Sequence, residues 1–281
     1  MNKIRTIQIS VSLIILSLVI NINVFGQDYC LPDTIHTSIL EDINHGINDG
    51  VKLIESPSRF TSKEWLYAGG LVGLTAGSFF IDKSIRDVVA KNHSNTMDDI
   101  TEVGHKYGNA GYMIILSGAA YLTGKIIKNN DISETSRMIL ETLAYAGIIT
   151  TVLKVGMGRA RPYTGDGAFD FFNFKLNNDF LSFPSGHSTT AFAVSSVLAA
   201  KINNVYASIA LYGLAGLTMY QRIYSDNHWF SDTFAGAVIS TVIGNAIVKL
   251  NECPGKSNRN SLTVLPAIQT NSMGLSLIYS F

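Results

Sequence analysis

Pro184-Ser185-Gly186-His187-Ser188 runs directly into Thr189-Thr-Ala-Phe-Ala-Val-Ser-Ser-Val-Leu-Ala-Ala200. Ser185 is placed to cap a helix, and Gly186 permits close approach of the backbone to a ligand. The apolar run behind them has the length and composition of a helix rather than a strand. Five comparable segments surround it, so that the set is 64–81, 107–127, 138–154, 188–201, 206–220 and 230–250. Ala, Gly, Ser and Thr recur within them, as in Leu71-Val-Gly-Leu-Thr-Ala-Gly-Ser78 and Ala235-Gly-Ala-Val-Ile-Ser-Thr241. Small residues let helices approach closely, in membranes or in tight soluble bundles. The expected fold class is all-α, a bundle of about six principal helices over residues 64–250.

Outside that region the chain changes character. Lys3 and Arg5 precede an apolar stretch from Ile7 to Ile20, and Val24-Phe25-Gly26 offers a cleavage position before Gln27. Residues 1–26 therefore read as an export signal, with an uncleaved anchor as the alternative; both give a cell-envelope address. Residues 27–63 are polar and mixed, an N-terminal extension able to pack as short helices against the main body. In the 251–281 tail, Leu262–Ile268 and Leu275–Phe281 flank the turn-like Gln269-Thr-Asn-Ser-Met-Gly274, which reads as a short appended β-hairpin. Cys30 and Cys253 lie at opposite ends of the mature chain, and pairing and two free thiols stay equally open.

Composition narrows the function classes. The 281 residues carry 21 Lys plus Arg against 21 Asp plus Glu, so no bulk field draws the chain to nucleic acid. Charged residues make up 15% and apolar residues 47%, and soluble domains average roughly 25% charged. The chain is a membrane protein or an unusually apolar bundle. A spanning helix needs about 20 apolar residues, roughly 17 at least. The second, third and sixth segments reach that length, and the fourth is short. If a signal exports Gln27 and all six segments cross, the motif-bearing loops face the cytoplasm. Lys125, Lys128 and Arg137 favour the opposite orientation. An exported bundle lying in the periplasm, or entering a membrane only in part, removes the conflict.

Three stretches carry chemistry. In Lys154-Val-Gly-Met-Gly-Arg-Ala-Arg161-Pro162, two cations stand seven apart, on one face if the helix persists; Gly156 and Gly158 weaken it and Pro162 ends it at or near Arg161. Arg presents a planar fork to phosphate oxygens and Lys a mobile point charge. Ser185, Gly186 and His187 open a helix whose free N–H groups and dipole favour an anion. In Arg222-Ile-Tyr-Ser-Asp-Asn-His228-Trp-Phe-Ser-Asp232, the histidine and carboxylate are spaced i, i+4, so that Asp232 can orient the imidazole of His228. No His-Glu-x-x-His or cysteine cluster supports a metal, and Arg222 argues for an anion. Alone, each stretch has a plainer reading: basic residues flanking an apolar helix, a capping turn, a surface His–Asp pair. Together they lie at alternating helix ends and so on one side of a bundle.

These residues resemble the type-2 phosphatidic acid phosphatase and vanadium haloperoxidase superfamily, with its K-x6-RP, PSGH and SR-x5-H-x3-D motifs. Lys154, Arg161, Pro162, Pro184–His187, Arg222, His228 and Asp232 match, and Gln221 stands where the family usually has Ser. The resemblance covers about residues 66–249. It implies that Lys154, Arg161, Arg222, Ser185 and Gly186 hold the phosphoryl oxygens. It further implies that His228 attacks phosphorus, Asp232 orients it, and a protonated His187 serves the leaving oxygen, with no metal or other cofactor. The implied substrate is a lipid phosphate or polyprenyl diphosphate, with membrane contact. A soluble phosphomonoester is second, and a vanadate-dependent haloperoxidase or a non-catalytic lipid-phosphate binder are further alternatives. Residues 167–183 are rich in Phe; that loop either meets a lipid chain or packs its own aromatics.

Overall fold

The computed structural model describes residues 38–251, together with the backbone of two C-terminal strands. The proposed signal and both cysteines lie outside the described residues. The described residues contain nine α-helices: α1 Ile39–Glu55, α2 Ser62–Ser78, α3 Asp82–Val89, α4 Asn95–Tyr107, α5 Ala110–Ile126, α6 Asn130–Met157, α7 Gly186–Ile202, α8 Val205–Tyr224 and α9 Phe230–Asn251. The fold is all-α. The six expected segments form α2 and α5 to α9, while α1, α3 and α4 are additional. Strand β1, Ser261–Gln269, pairs antiparallel with β2, Ser272–Ser280, with Gln269 opposite Ser272, so the turn is tighter than the six-residue cluster in the sequence.

Capping chemistry sets the helix starts. Ser38 with Glu41, and Thr61 with Glu64, form capping boxes on α1 and α2. Asn109, Asn129 and Asn204 cap α5, α6 and α8. Helix α7 ends on Asn203 in the left-handed conformation, leaving a short link to α8.

Helix α7 is the centre of the bundle. Val194 and Val197 pack with Met138, Ile139 and Ala146 of α6 and Ile243, Ile247 and Val248 of α9. On another side Ala191 and Phe192 meet Tyr212 and Ala215 of α8 and Ala237 of α9. Each fully buried Val or Ile contributes about 1.5–3 kcal/mol. Gly236 and Gly244 bring α9 against α7; a Cβ at Gly236 would lie 2.6 Å from the Ser185 carbonyl oxygen, and one at Gly244 would strike the Ser196 hydroxyl. The small residues thus set the spacing at which the start of α7 meets the start of α9.

The outward faces stay apolar. Leu66, Val72, Ile115, Ile148 and Val152 are all more than half exposed. Among the described residues, α6 and α9 are long and apolar enough to cross a membrane. The second segment, expected to qualify as well, forms only the 17-residue α5.

Candidate active site

Helix α6 stops before Arg161. Gly158, with φ 58°, ends it in the left-handed conformation, where a Cβ would collide with the Phe172 carbonyl oxygen. Lys154 therefore stays on the helix, while Arg161 lies beyond it in extended backbone ahead of Pro162. The helix does not persist to Arg161, so the two do not share one helical face. Folding of the following loop brings Arg161 back instead: its Nε donates to Asn178 O at 2.9 Å and its Nη1 to Asn227 O at 3.4 Å. Lys154 Nζ donates to Leu181 O at 2.7 Å, just ahead of the second motif.

Ser185 caps α7, its hydroxyl accepting from Ser188 N at 3.5 Å. Ser185 N donates to Asp232 O at 2.9 Å, tying the starts of α7 and α9 together. A Cβ at Gly186 would lie 3.9 Å from Lys154 Cε, which puts the lysine beside the helix start. His187, in the first turn, stacks on His105 with ring centres 5.1 Å apart, and its Nε2 is buried without a hydrogen-bond partner in the protein. Arg222, in the last turn of α8, donates from Nη1 to Gln221 Oε1 at 3.2 Å and contacts His105 Nδ1 at 3.3 Å. Gln221 thus supports the neighbouring arginine in place of the usual Ser. Arg222 Nε, like His187 Nε2, is buried and unpartnered.

His228 is not on a helix. It sits in the turn between α8 and α9, its N donating to Arg222 O at 3.2 Å, and only Asp232 occupies the first turn of α9. The pair still meets, with His228 Nδ1 3.6 Å from Asp232 Oδ2. Asp232 is fully buried and heavily held: Oδ2 accepts from Ser182 Oγ at 2.5 Å and Trp229 N at 2.8 Å, and Oδ1 from Arg159 Nη1 at 2.6 Å. The bidentate pair of Arg86 with Asp226 pins the same turn from α3.

Lys154, Arg161, Arg222, Ser185, Gly186, His187, His228 and Asp232 thus converge from four helix ends and the turns beside them. The balance of charge is positive, and two buried nitrogens, His187 Nε2 and Arg222 Nε, have no hydrogen-bond partner in the protein. That combination fits an oxyanion. Burial and the neighbouring cations, Arg222 foremost, push the His187 imidazole down to about 3. Burial likewise takes His228 to about 3, with Asp232 opposing and Lys154 assisting. Both shifts favour the neutral imidazole while no anion is bound. Burial, then Arg161, also draws Arg222 down to about 10.

The sequence reading missed Arg159, Asp82, Ser182, Trp229 and His105. Arg159 was visible only as a third cation inside the first motif, and the others come from outside the motifs or from their flanks. The Phe-rich loop splits between its two readings: Phe171 and Phe183 pack on Phe79, directly after α2, whereas Phe174 is 75% and Leu176 73% exposed. A metal-ligating combination, His45, Asp49 and Glu141, lies elsewhere, with Arg137 Nη1 3.0 Å from His45 Nδ1 and 2.5 Å from Glu141 Oε1. There a guanidinium already takes the position of a cation, and the cluster ties α1 to α6.

Residues 137–252, which include every one of these motif residues, match the family model described as the PAP2 superfamily. This region is similar to the PAP2 superfamily. The match begins at α6, later than the extent of about 66–249 expected from the motifs. The lipid A 1-phosphatase of Rhizobium etli is 27% identical over 165 residues, 53% of this chain and 69% of that protein. The lipid A 1-phosphatase of Rhizobium johnstonii is 30% identical over 134 residues, 46% of this chain and 51% of that protein. The chain thus spans about half to two thirds of these relatives. The crystal structure of Aquifex aeolicus LpxE has a TM-score of 0.49 and 20% identity, covering 60% of this chain and 95% of that one.

Proposed function

We propose that this chain is a phosphoric ester hydrolase that removes phosphate from a lipid, without a metal, through a phosphohistidine on His228. The observation that carries the reading is the convergence of Lys154, Arg161 and Arg222 on the buried His228 and the half-buried His187, with His187 Nε2 and Arg222 Nε unpartnered. Lys154, Arg161, Arg222, Ser185 and the Gly186 amide hold the phosphoryl oxygens, and their charge takes the place of a metal ion. Asp232 faces Nδ1 of His228, so Nε2 presents its lone pair to phosphorus. The Nε2–P bond forms as the bond from phosphorus to the lipid oxygen breaks, and His187 gives that oxygen a proton. The proton arrives with the substrate, because an anionic phosphoryl group beside His187 offsets the cations that keep it neutral. Water then attacks the phosphohistidine, His187 takes the proton, and inorganic phosphate leaves.

The names of the relatives and the exposed Phe174 and Leu176 beside the site favour a lipid over a soluble ester. The proposed address is the cell envelope at a membrane surface, with residues 1–26 as the signal, 27–63 as the extension and 251–281 as a tail behind the helical domain. Phosphate release by the purified full-length protein from lipid A, phosphatidate, undecaprenyl diphosphate and glycerol phosphate tests this. Turnover of a lipid phosphate, unchanged after dialysis against a chelator, is expected. Turnover of glycerol phosphate alone, or a chelator loss restored by magnesium or zinc, refutes it.

A further inference from the structure

The first motif holds two arginines two residues apart, and only one of them matches the family pattern. Arg159 is fully buried, and all five of its N–H donors are occupied inside the protein. Nε donates to Ala168 O at 2.9 Å; Nη1 to Ser231 Oγ and Asp232 Oδ1, both at 2.6 Å; Nη2 to Asp82 Oδ2 at 2.6 Å and Ala168 O at 2.5 Å. Phe79 stacks on the guanidinium at 4.3 Å, excluding water from the group. No donor remains for a phosphoryl oxygen. Arg222, by contrast, keeps a buried Nε without a partner.

The atoms that Arg159 does reach belong to the groups behind His228. Asp232 Oδ2 is held by Ser182 and Trp229, and Arg159 fixes Oδ1, so the carboxylate cannot turn about its own axis. Asp82, fully buried at the start of α3, holds Arg159 in turn and is itself anchored by Ser231 N at 2.8 Å and Ser231 Oγ at 2.6 Å. Two carboxylates share one guanidinium, which leaves one net negative charge beside His228. That charge matches the imidazolium created when His228 bonds to phosphorus.

We propose that Arg159 and Asp82 are positioning residues for phosphoryl transfer, fixing Asp232 and through it the geometry and charge of His228, and that neither contacts the substrate. The inference rests on the function proposed above. It separates the two arginines of the first motif into a substrate-binding one, Arg161, and a positioning one, Arg159.

The test is steady-state kinetics of the full-length protein on phosphatidate in detergent micelles, with inorganic phosphate as competitive inhibitor. Arg159→Lys keeps the charge and loses the fork. It should lower kcat by about 10²-fold, the cost of misplacing a reacting group by about 1 Å. KM and the phosphate inhibition constant should stay within about threefold. With Oδ1 released, more of the Asp232 charge falls on His228, so the acid limb of kcat/KM should move to higher pH. Asp82→Asn should change kcat in the same direction by about tenfold, and it carries the test if Arg159→Lys does not fold. Arg161→Lys should instead raise KM and the inhibition constant. Weaker phosphate inhibition with kcat preserved in Arg159→Lys would make Arg159 a substrate contact, and preserved kcat and KM in a folded variant would make the network merely structural. Either result overturns the proposal. Turnover by His228→Ala in the same assay would instead overturn the proposed function.

Discussion

Adding one methyl group at Gly236 tests whether the spacing of α7 and α9 sets the site. An alanine Cβ there would lie 2.6 Å from Ser185 O and 3.0 Å from Thr189 Oγ1, both at the start of α7. Ordinary contact needs about 3.5 Å, so the two helix starts must separate by about 0.9 Å. Overpacking of this kind costs about 1–3 kcal/mol. Stretching the Ser185 N to Asp232 O bond adds about 1 kcal/mol. The summed loss of about 2–4 kcal/mol lowers Tm by roughly 4–16 °C. The same displacement moves Ser185, Gly186 and His187 away from Asp232 and His228, so kcat should fall by about 10–100-fold with KM little changed. Gly244→Ala is the control, on the same helix pair about two turns further from the site. There the new Cβ meets the Ser196 hydroxyl, which can swing away from Ala193 O at a smaller cost. That variant should lose some stability and keep its kcat. Thermal unfolding and phosphate release on the same preparations read both quantities. A destabilised Gly236→Ala with wild-type kcat refutes the reasoning, because the separation of the helix starts would then not matter to the chemistry.

His187→Ala should cost about 10²–10⁴-fold on a lipid phosphate, the worth of a positioned acid. In the burst phase with nitrophenyl phosphate, whose leaving group needs no proton, the loss should be far smaller; equal burst-phase losses would make His187 only an anion contact. His228 sits near 3 in the folded protein, against about 6.5 when unfolded, so below pH about 6.5 the unfolded chain binds the extra proton and stability falls with acidification towards 3. Tm should therefore drop less between pH 7 and pH 4.5 in His228→Asn than in wild type, and an equal drop in both would contradict the burial-driven shift.

The bundle was legible because α2 and α5 to α9 are apolar runs bounded by Asn, Ser or Gly. Helix α1 was foreseen only as short helices in the 27–63 extension, and α3 and α4 were not foreseen, since these helices bury mainly polar side chains. Asp49 on α1 and Asp82 on α3 are buried through partners far away in sequence, and a hydrophobic period cannot reveal that. The eight site residues were legible because their spacing is itself the signal. Their local geometry was less so. Spacing left open whether α6 persists to Arg161, which the collision at Gly158 decides, and whether His228 lies on a helix, which the turn held by Arg86 and Asp226 decides. Arg159 and Asp82 had no spacing to declare them, because their partnership spans 77 residues of sequence.

The central claim is covalent: phosphorus is bonded to His228 during turnover. Rapid acid-free quenching of the full-length protein with a 32P-labelled lipid phosphate, followed by peptide mapping, tests it most directly. The account predicts an alkali-stable, acid-labile label on the peptide containing His228, absent from His228→Ala. Single-turnover phosphate release by the wild-type protein with no labelled peptide at any time, or a label on another residue, would contradict it.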